Sequence, residues 1–202
     1  MLRSLKGISG YKIRRSGENI GKIKDFYFHD DDWAISYLVG DIGLGYWKRR
    51  EVLIPPSDLW GSADDKNRTF HLLFGEQLNK NFITADMHKP LSKENLLTTL
   101  VNHKEDIRLR SANKTMGYHI QANDSEFGHV QDFIVDDKIW KIQFILVAVR
   151  NGWPGKEVLI PRNHIKRIDW QSGKIHVDLS KKNIIARPDI DEVVAGKFEV
   201  LK

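Results

Sequence analysis

Apolar residues recur at every second position in several short stretches of the chain. Trp33, Ile35, Tyr37 and Val39 are spaced in this way, and so are Trp140, Ile142, Phe144 and Leu146. A period of two predicts strands with one face turned to a core. In the second stretch the intervening Ile145, Val147 and Val149 are apolar as well, which predicts cover on both faces. They stand where the first stretch has Leu38, Gly40 and Ile42, so the second outer face is the more apolar. Earlier in each half, Ile23 is followed by Phe26 and Phe28, and Val130 by Phe133 and Val135. The apolar register changes parity, which turns a strand inside out unless one extra residue is taken up. The pattern therefore predicts a β-bulge near Lys24-Asp25 and another near Gln131-Asp132.

Punctuation between these stretches fits short antiparallel strands. Arg15-Ser16-Gly17-Glu18 and Asn123-Asp124-Ser125-Glu126 carry turn chemistry. Asp30-Asp31-Asp32 and Asp136-Asp137-Lys138 are predicted hairpin tips. Gly43 to Arg50 and Asn151 to Lys156 are predicted loops. Val52–Ile54 and Val158–Ile160 are strands stopped by Pro55 and Pro161. Phe70–Phe74 and Ile175–Leu179 supply a last strand each, with His71 and His176 at equivalent, outward places. One helix is expected, Lys93 to His103, with Ser92 as its N-cap and Leu91 and Leu96 spaced as a hydrophobic staple. Its stripe of Leu96, Leu97, Leu100 and Val101 is expected to dock on the apolar outer face.

The halves repeat each other. Leu2-Arg3-Ser4, Gly10-Tyr11, Gly21, Asp25-Phe26, Asp30, Trp33 and Ile35 return as Leu109-Arg110-Ser111, Gly117-Tyr118, Gly128, Asp132-Phe133, Asp137, Trp140 and Ile142. One residue then drops out, and Glu51-Val52-Leu53-Ile54-Pro55 returns as Glu157 to Pro161. So long a period means two copies of one small domain. The boundaries are read as a first domain over 1–88, a linker with the helix over 89–108, a second domain over 109–188 and a tail over 189–202.

Composition narrows the chemistry. The chain of 202 residues is 41% hydrophobic and 29% charged, as in ordinary globular domains. It has no cysteine, so thiolate catalysis, thiolate metal sites and disulfides are excluded. The net charge of +5 is spread thinly, with no block of about five or more like charges to mark a nucleic-acid site. The charged opening Met1 to Lys6 does not read as a secretory leader, and no apolar run reaches membrane-spanning length. A cytoplasmic setting is expected. Neither a nucleophile elbow nor a dinucleotide fingerprint occurs. Asp30 to Asp32 reads as a solvated turn that discourages edge pairing, not as a metal site. No catalytic residue, metal or cofactor is expected. The residue types enriched at interface hot spots lie in the loops: Tyr46, Trp47, Arg49 and Arg50 in the first copy, Trp153 and Lys156 in the second.

Gly-Tyr, Gly-x-x-x-Asp-Phe, the acidic tip before Trp and Val-Leu-Ile-Pro together resemble the PRC-barrel family, and more closely bacterial proteins with two such domains in tandem. The second copy follows the pattern better, including Pro154-Gly155-Lys156. The resemblance implies an all-β fold of two tandem six-stranded barrels joined by a helical linker, working by contact without catalysis. The function so implied is that of a scaffold or adaptor for a protein partner. The alternative is peripheral regulation of a membrane electron-transfer or stress-response system, as in the cytoplasmic part of the photosynthetic reaction-centre H subunit.

Overall fold

The computed structural model describes residues 1–43, 49–73, 109–149 and 156–187, with the backbone alone at Arg49 and Arg50. The expected helix at 93–103, the tail, and Tyr46, Trp47 and Trp153 lie outside the described residues.

Thirteen strands dominate the described chain. In the first half they are β1 (Leu2–Ser4), β2 (Lys12–Arg15), β3 (Glu18–His29), β4 (Ile35–Gly43), β5 (Arg49–Ile54) and β6 (Thr69–His71). In the second they are β7 (Leu109–Ser111), β8 (His119–Gln121), β9 (Glu126–Asp136), β10 (Lys141–Val149), β11 (Glu157–Pro161), β12 (Ile165–Asp169) and β13 (Lys174–Val177). Three short helices join them: α1 (Leu5–Ile8), α2 (Ala112–Thr115) and α3 (Lys181–Ile185). None of the described helices is long and apolar enough to cross a membrane.

One sheet has six strands in the order β5-β4-β3-β2-β6, with β7 beside β3. The other has seven, in the order β11-β10-β9-β8-β13-β12, with β1 beside β9. Each contains a parallel pair, β2 with β6 and β8 with β13, in matching register: Arg14 faces His71 and Gln121 faces His176. The two histidines are therefore equivalent, as expected. β12 is an addition to the expected set.

Contacts divide the chain into two units that do not follow the repeats. The first unit holds Met1, the described part of Arg3–Asn113, and Asp137–Lys141. The second holds Leu2, Lys114–Asp136 and the described part of Ile142–Lys202. The leading Leu109–Ser111 and the hairpin tip of the second copy are thus built into the first unit.

Two duplicated glycine pairs have visible reasons. Gly10 and Gly117 have φ of +79° and +87°, where a Cβ is strained. Gly21 and Gly128 face backbone instead: a Cβ on either would lie closer than 3.0 Å to a carbonyl oxygen, of Asp41 or of Ala148.

The first bulge is where the pattern places it. Ile23 pairs with Gly40 and Asp25 with Val39, leaving Lys24 extra. Ile23, Phe26 and Phe28 are all buried across the shift, and Val130, Phe133 and Val135 repeat that burial. The bulge also explains the duplicated Asp-Phe. The Asp25 carboxylate accepts the Phe26 N–H at 2.7 Å, and Asp132 accepts that of Phe133 at 2.7 Å. Asp25 satisfies a backbone donor beside the irregular position while Phe26 enters the core, and Asp132 and Phe133 repeat that bond and that burial.

A second irregularity corrects the reading of β4. Tyr27 pairs with Tyr37 but Phe28 pairs with Ile35, so Ser36 is extra and parity changes again. Leu38, Gly40 and Ile42 therefore continue the inner face begun by Ile35, not the outer face. A Cβ on Gly40 would meet the methyl ends of Ile13, Ile54 and Val52. Val39 instead joins Leu53 and Leu109 in a smaller cluster flanked by Tyr27 and Tyr37. Burial there pushes the Tyr27 phenol up to about 12. In β10, Ile145, Leu146 and Val147 are all buried, so both faces are covered at its centre. Arg49 and Arg50 also differ from expectation: the ladder continues through Ile42–Arg50 and Gly43–Arg49, making them strand and not loop.

Candidate interaction site

Two features of the first unit carry side chains with specific work to do. One is a buried ionic cluster around Arg3. Its guanidinium binds the carboxylates of Asp137 and Asp65 and donates to the Ala63 carbonyl at 3.2 Å. The Met1 ammonium lies 2.7 Å from Asp137, and the Tyr11 hydroxyl donates to Asp65 at 3.0 Å. The Asp137 side chain is 0% exposed. Burial pushes its carboxyl up, but the Met1 ammonium and Arg3 outweigh burial and hold it below the usual carboxylate value. Arg3 likewise holds Asp65 down. A pair buried this deeply needs all its partners, because losing one strands a charge.

The acidic tip Asp30 to Asp32 has a parallel role. Asp30 accepts from Arg110 Nε at 2.9 Å, and Asp32 accepts the Ala34 N–H at 3.0 Å and lies 3.8 Å from Lys141 Nζ. Among the described residues no three His, Asp or Glu side chains are grouped to hold a metal ion. The tip ends in Trp33 at φ +66°, matched by Trp140 at +49°. Both rings are buried, with Trp33 stacked on Phe28 at 5.4 Å and Trp140 against Phe70 at 6.0 Å. Core burial of a large ring outweighs the roughly 1–3 kcal/mol cost of a left-handed backbone there.

The other feature is a groove of about 620 Å³ beside that cluster. Ile35, Leu59 and Trp140, all buried, contribute its apolar wall; Ser57, Ser62 and Lys138 contribute polar groups. Its lining includes Ile139, which is 62% exposed. Trp60, 69% exposed, follows the lining residue Leu59, and exposed Leu73 donates its N–H to the Asp58 carbonyl at 2.8 Å. The Trp60 N–H is bound by the His71 carbonyl at 2.7 Å, and its ring meets the His71 ring edge-on at 6.3 Å. Of the five exposed large apolar residues among those described, Ile139 lines this concavity, and Trp60 stands in sequence between its lining residues Leu59 and Gly61.

Two PRC-barrel domain matches cover residues 9–78 and 118–184, which together make up most of the chain. The chain belongs to the PRC-barrel family. Comparison with curated proteins finds no match. The two matches confirm the tandem arrangement, and the sheets described above are the two PRC-barrel domains. The leaders Leu2–Ser4 and Leu109–Ser111 lie outside both matched segments.

Of the interface residues expected from sequence, Lys156 is the one whose side chain the structure describes. Its Nζ donates to the Ile185 carbonyl at 2.8 Å and so serves the last turn of α3. Trp60 and Ile139 were missed by the loop-based reading. A signal for them existed in the duplication: Trp60 corresponds to Lys166 and Ile139 to Asp32, so each is apolar where its copy is charged.

Proposed function

We propose that this PRC-barrel protein is a non-enzymatic scaffold or adaptor, and that the groove of the first unit is its docking face. The observation that supports this reading is the exposed Ile139 in the lining of the groove, with exposed Trp60 between the lining residues Leu59 and Gly61 in sequence. Exposed apolar residues scattered singly mean little, but one set in the wall of a concavity is a common form of interaction site. The partner chemistry follows from the walls. Ile35, Leu59 and Trp140 suit one bulky apolar side chain. The partner is thus a protein segment bearing an exposed aromatic or branched aliphatic residue.

The test is affinity capture from native extract, with the wild type compared with Trp60→Asp and Ile139→Asp. Both side chains are exposed, so both variants should keep the wild-type melting temperature. A partner retained by wild type and lost by both variants, and competed off by a peptide of the stated chemistry, supports the proposal. A partner set unchanged in either variant refutes the groove as the docking face.

A further inference from the structure

The pairings within the first unit are exchanged between the two copies of the repeat. Arg3 of the first leader binds Asp137, the tip residue of the second copy. Arg110, which is Arg3 shifted by the repeat offset of 107 (110 − 3), binds Asp30, which is Asp137 shifted back by the same offset (137 − 107). Neither arginine uses the tip of its own copy for these bonds. Strand pairing agrees: Leu109, Arg110 and Ser111 lie opposite His29, Phe28 and Tyr27 of β3. Ser111 Oγ donates to Asp25 at 2.6 Å, the Asn113 N–H donates to Asp25 at 3.0 Å, and Asn113 Nδ2 donates to the Lys24 carbonyl at 2.8 Å. Leu109 completes the cluster with Val39 and Leu53.

When residue i of one copy binds residue j of the other, and the equivalent of j binds the equivalent of i, the contact is isologous. That is the signature of a two-fold homodimer, here written into one chain. We infer that the edge of β3, with Asp25 and Asp30, is a receptor for a Leu-Arg-Ser leader followed two residues later by a backbone donor. In this chain the second copy's own leader occupies it, so the protein is a fused form of a strand-exchanged pair. The inference does not depend on the groove. The Leu-Arg-Ser stretches it concerns lie outside the segments that match the family, which begin at residues 9 and 118, while the aspartates that receive them lie inside. It also assigns a purpose to the duplicated Leu-Arg-Ser, which sequence periodicity left without one.

The test cuts the connection and leaves the folded protein otherwise intact. A protease site with flexible flanks is inserted between residues 89 and 108 of the full chain, and the purified protein is cleaved. The expected result is that both pieces elute together as one 1:1 particle and separate only in urea. Arg110→Asp should lower the urea concentration at which they part. Arg110→Asp combined with Asp30→Arg should restore it towards the wild-type value. Separation of the cleaved pieces in native buffer, as two folded species or with either one aggregating, overturns the inference. So does a reversed double variant that parts no later than the single one, because the pair would then not be holding the pieces.

Discussion

A single methyl group placed on Gly21 tests the packing of the first sheet more sharply than any core truncation. Gly21 lies between β2 and β4, opposite Ile13 on one side and Ile42 on the other. The Cβ of an alanine there would lie 2.9 Å from Ile42 Cα and closer still to the Asp41 carbonyl oxygen. Ordinary contact begins at 3.4 Å, so the first clash alone requires a displacement of 0.5 Å (3.4 − 2.9). Both obstacles are backbone, so no rotamer change relieves them. Overpacking of this kind costs roughly 1–3 kcal/mol, and strained ladder bonds beside Ile42 add about 1 kcal/mol. Gly21→Ala should therefore destabilise by roughly 2–4 kcal/mol, a fall in melting temperature on the order of 10 to 25 °C for a unit of this size. Gly128→Ala should do the same in the second unit, where Ala148 O is the obstacle. Gly43→Ala is the matched control, because nothing lies within 4 Å of its added Cβ. Circular-dichroism melts of the three variants decide the matter. If Gly21→Ala melts within 3 °C or so of Gly43→Ala, the close approach of β3 and β4 described above is wrong.

Other expectations can be checked with the same melts. Phe133, 0% exposed, should lose roughly 3–5 kcal/mol on Phe133→Ala; a loss under about 1 kcal/mol would contradict its core position. Asp137 and Asp65 have folded values below their ordinary 3.8, so their stabilisation is present above that value and lost as pH falls through the lower folded one. The melting temperature should consequently drop below about pH 4, and Asp137→Asn should flatten that acid limb while costing stability at neutral pH. Millimolar Ca²⁺ or Mg²⁺ should leave the melting temperature unchanged, since Asp30 is held by Arg110; a clear rise would show a native-state cation site at the tip.

Much of this architecture was legible because local chemistry repeats where local geometry repeats. Asp25-Phe26 marks the bulge of β3 through a parity change that a reader of the sequence can see. The parity change at Ser36 was hidden, because Ile35, Tyr37 and Val39 alternate smoothly through it and only the pairing with Tyr27 and Phe28 exposes the extra residue. Strand β12 was hidden because Ile165–Asp169 is mostly polar and half exposed, so it carries little periodicity. The leaders were recognised as duplicates, yet their partners could not be read. Leu-Arg-Ser occurs in both copies, each β3-type edge offers the same aspartates, and nothing local distinguishes a self pairing from an exchanged one. As for the site, weight was placed on loops rich in aromatic and basic residues. The structure puts Lys156 to work on α3 and draws attention to Trp60 and Ile139, whose significance lies in how they depart from their own copies.

The exchange also sets the order in which the protein can be completed as it is made. The first unit includes Asp137–Lys141, so it is not whole when β6 ends at His71. Another 70 residues (141 − 71) must follow, which at about 5–20 residues per second is a wait of roughly 4 to 14 s. Until Ser111 is added the edge of β3 at Tyr27–His29 stands without its β7 partner, and until Asp137 is added Arg3 lacks that carboxylate. Asp25 and Asp30, still charged and hydrated, then flank an open strand edge on the nascent chain. Carboxylates in that position are what keeps a waiting strand from pairing with the wrong neighbour. The same two side chains that later receive the second copy thus guard its place until it arrives.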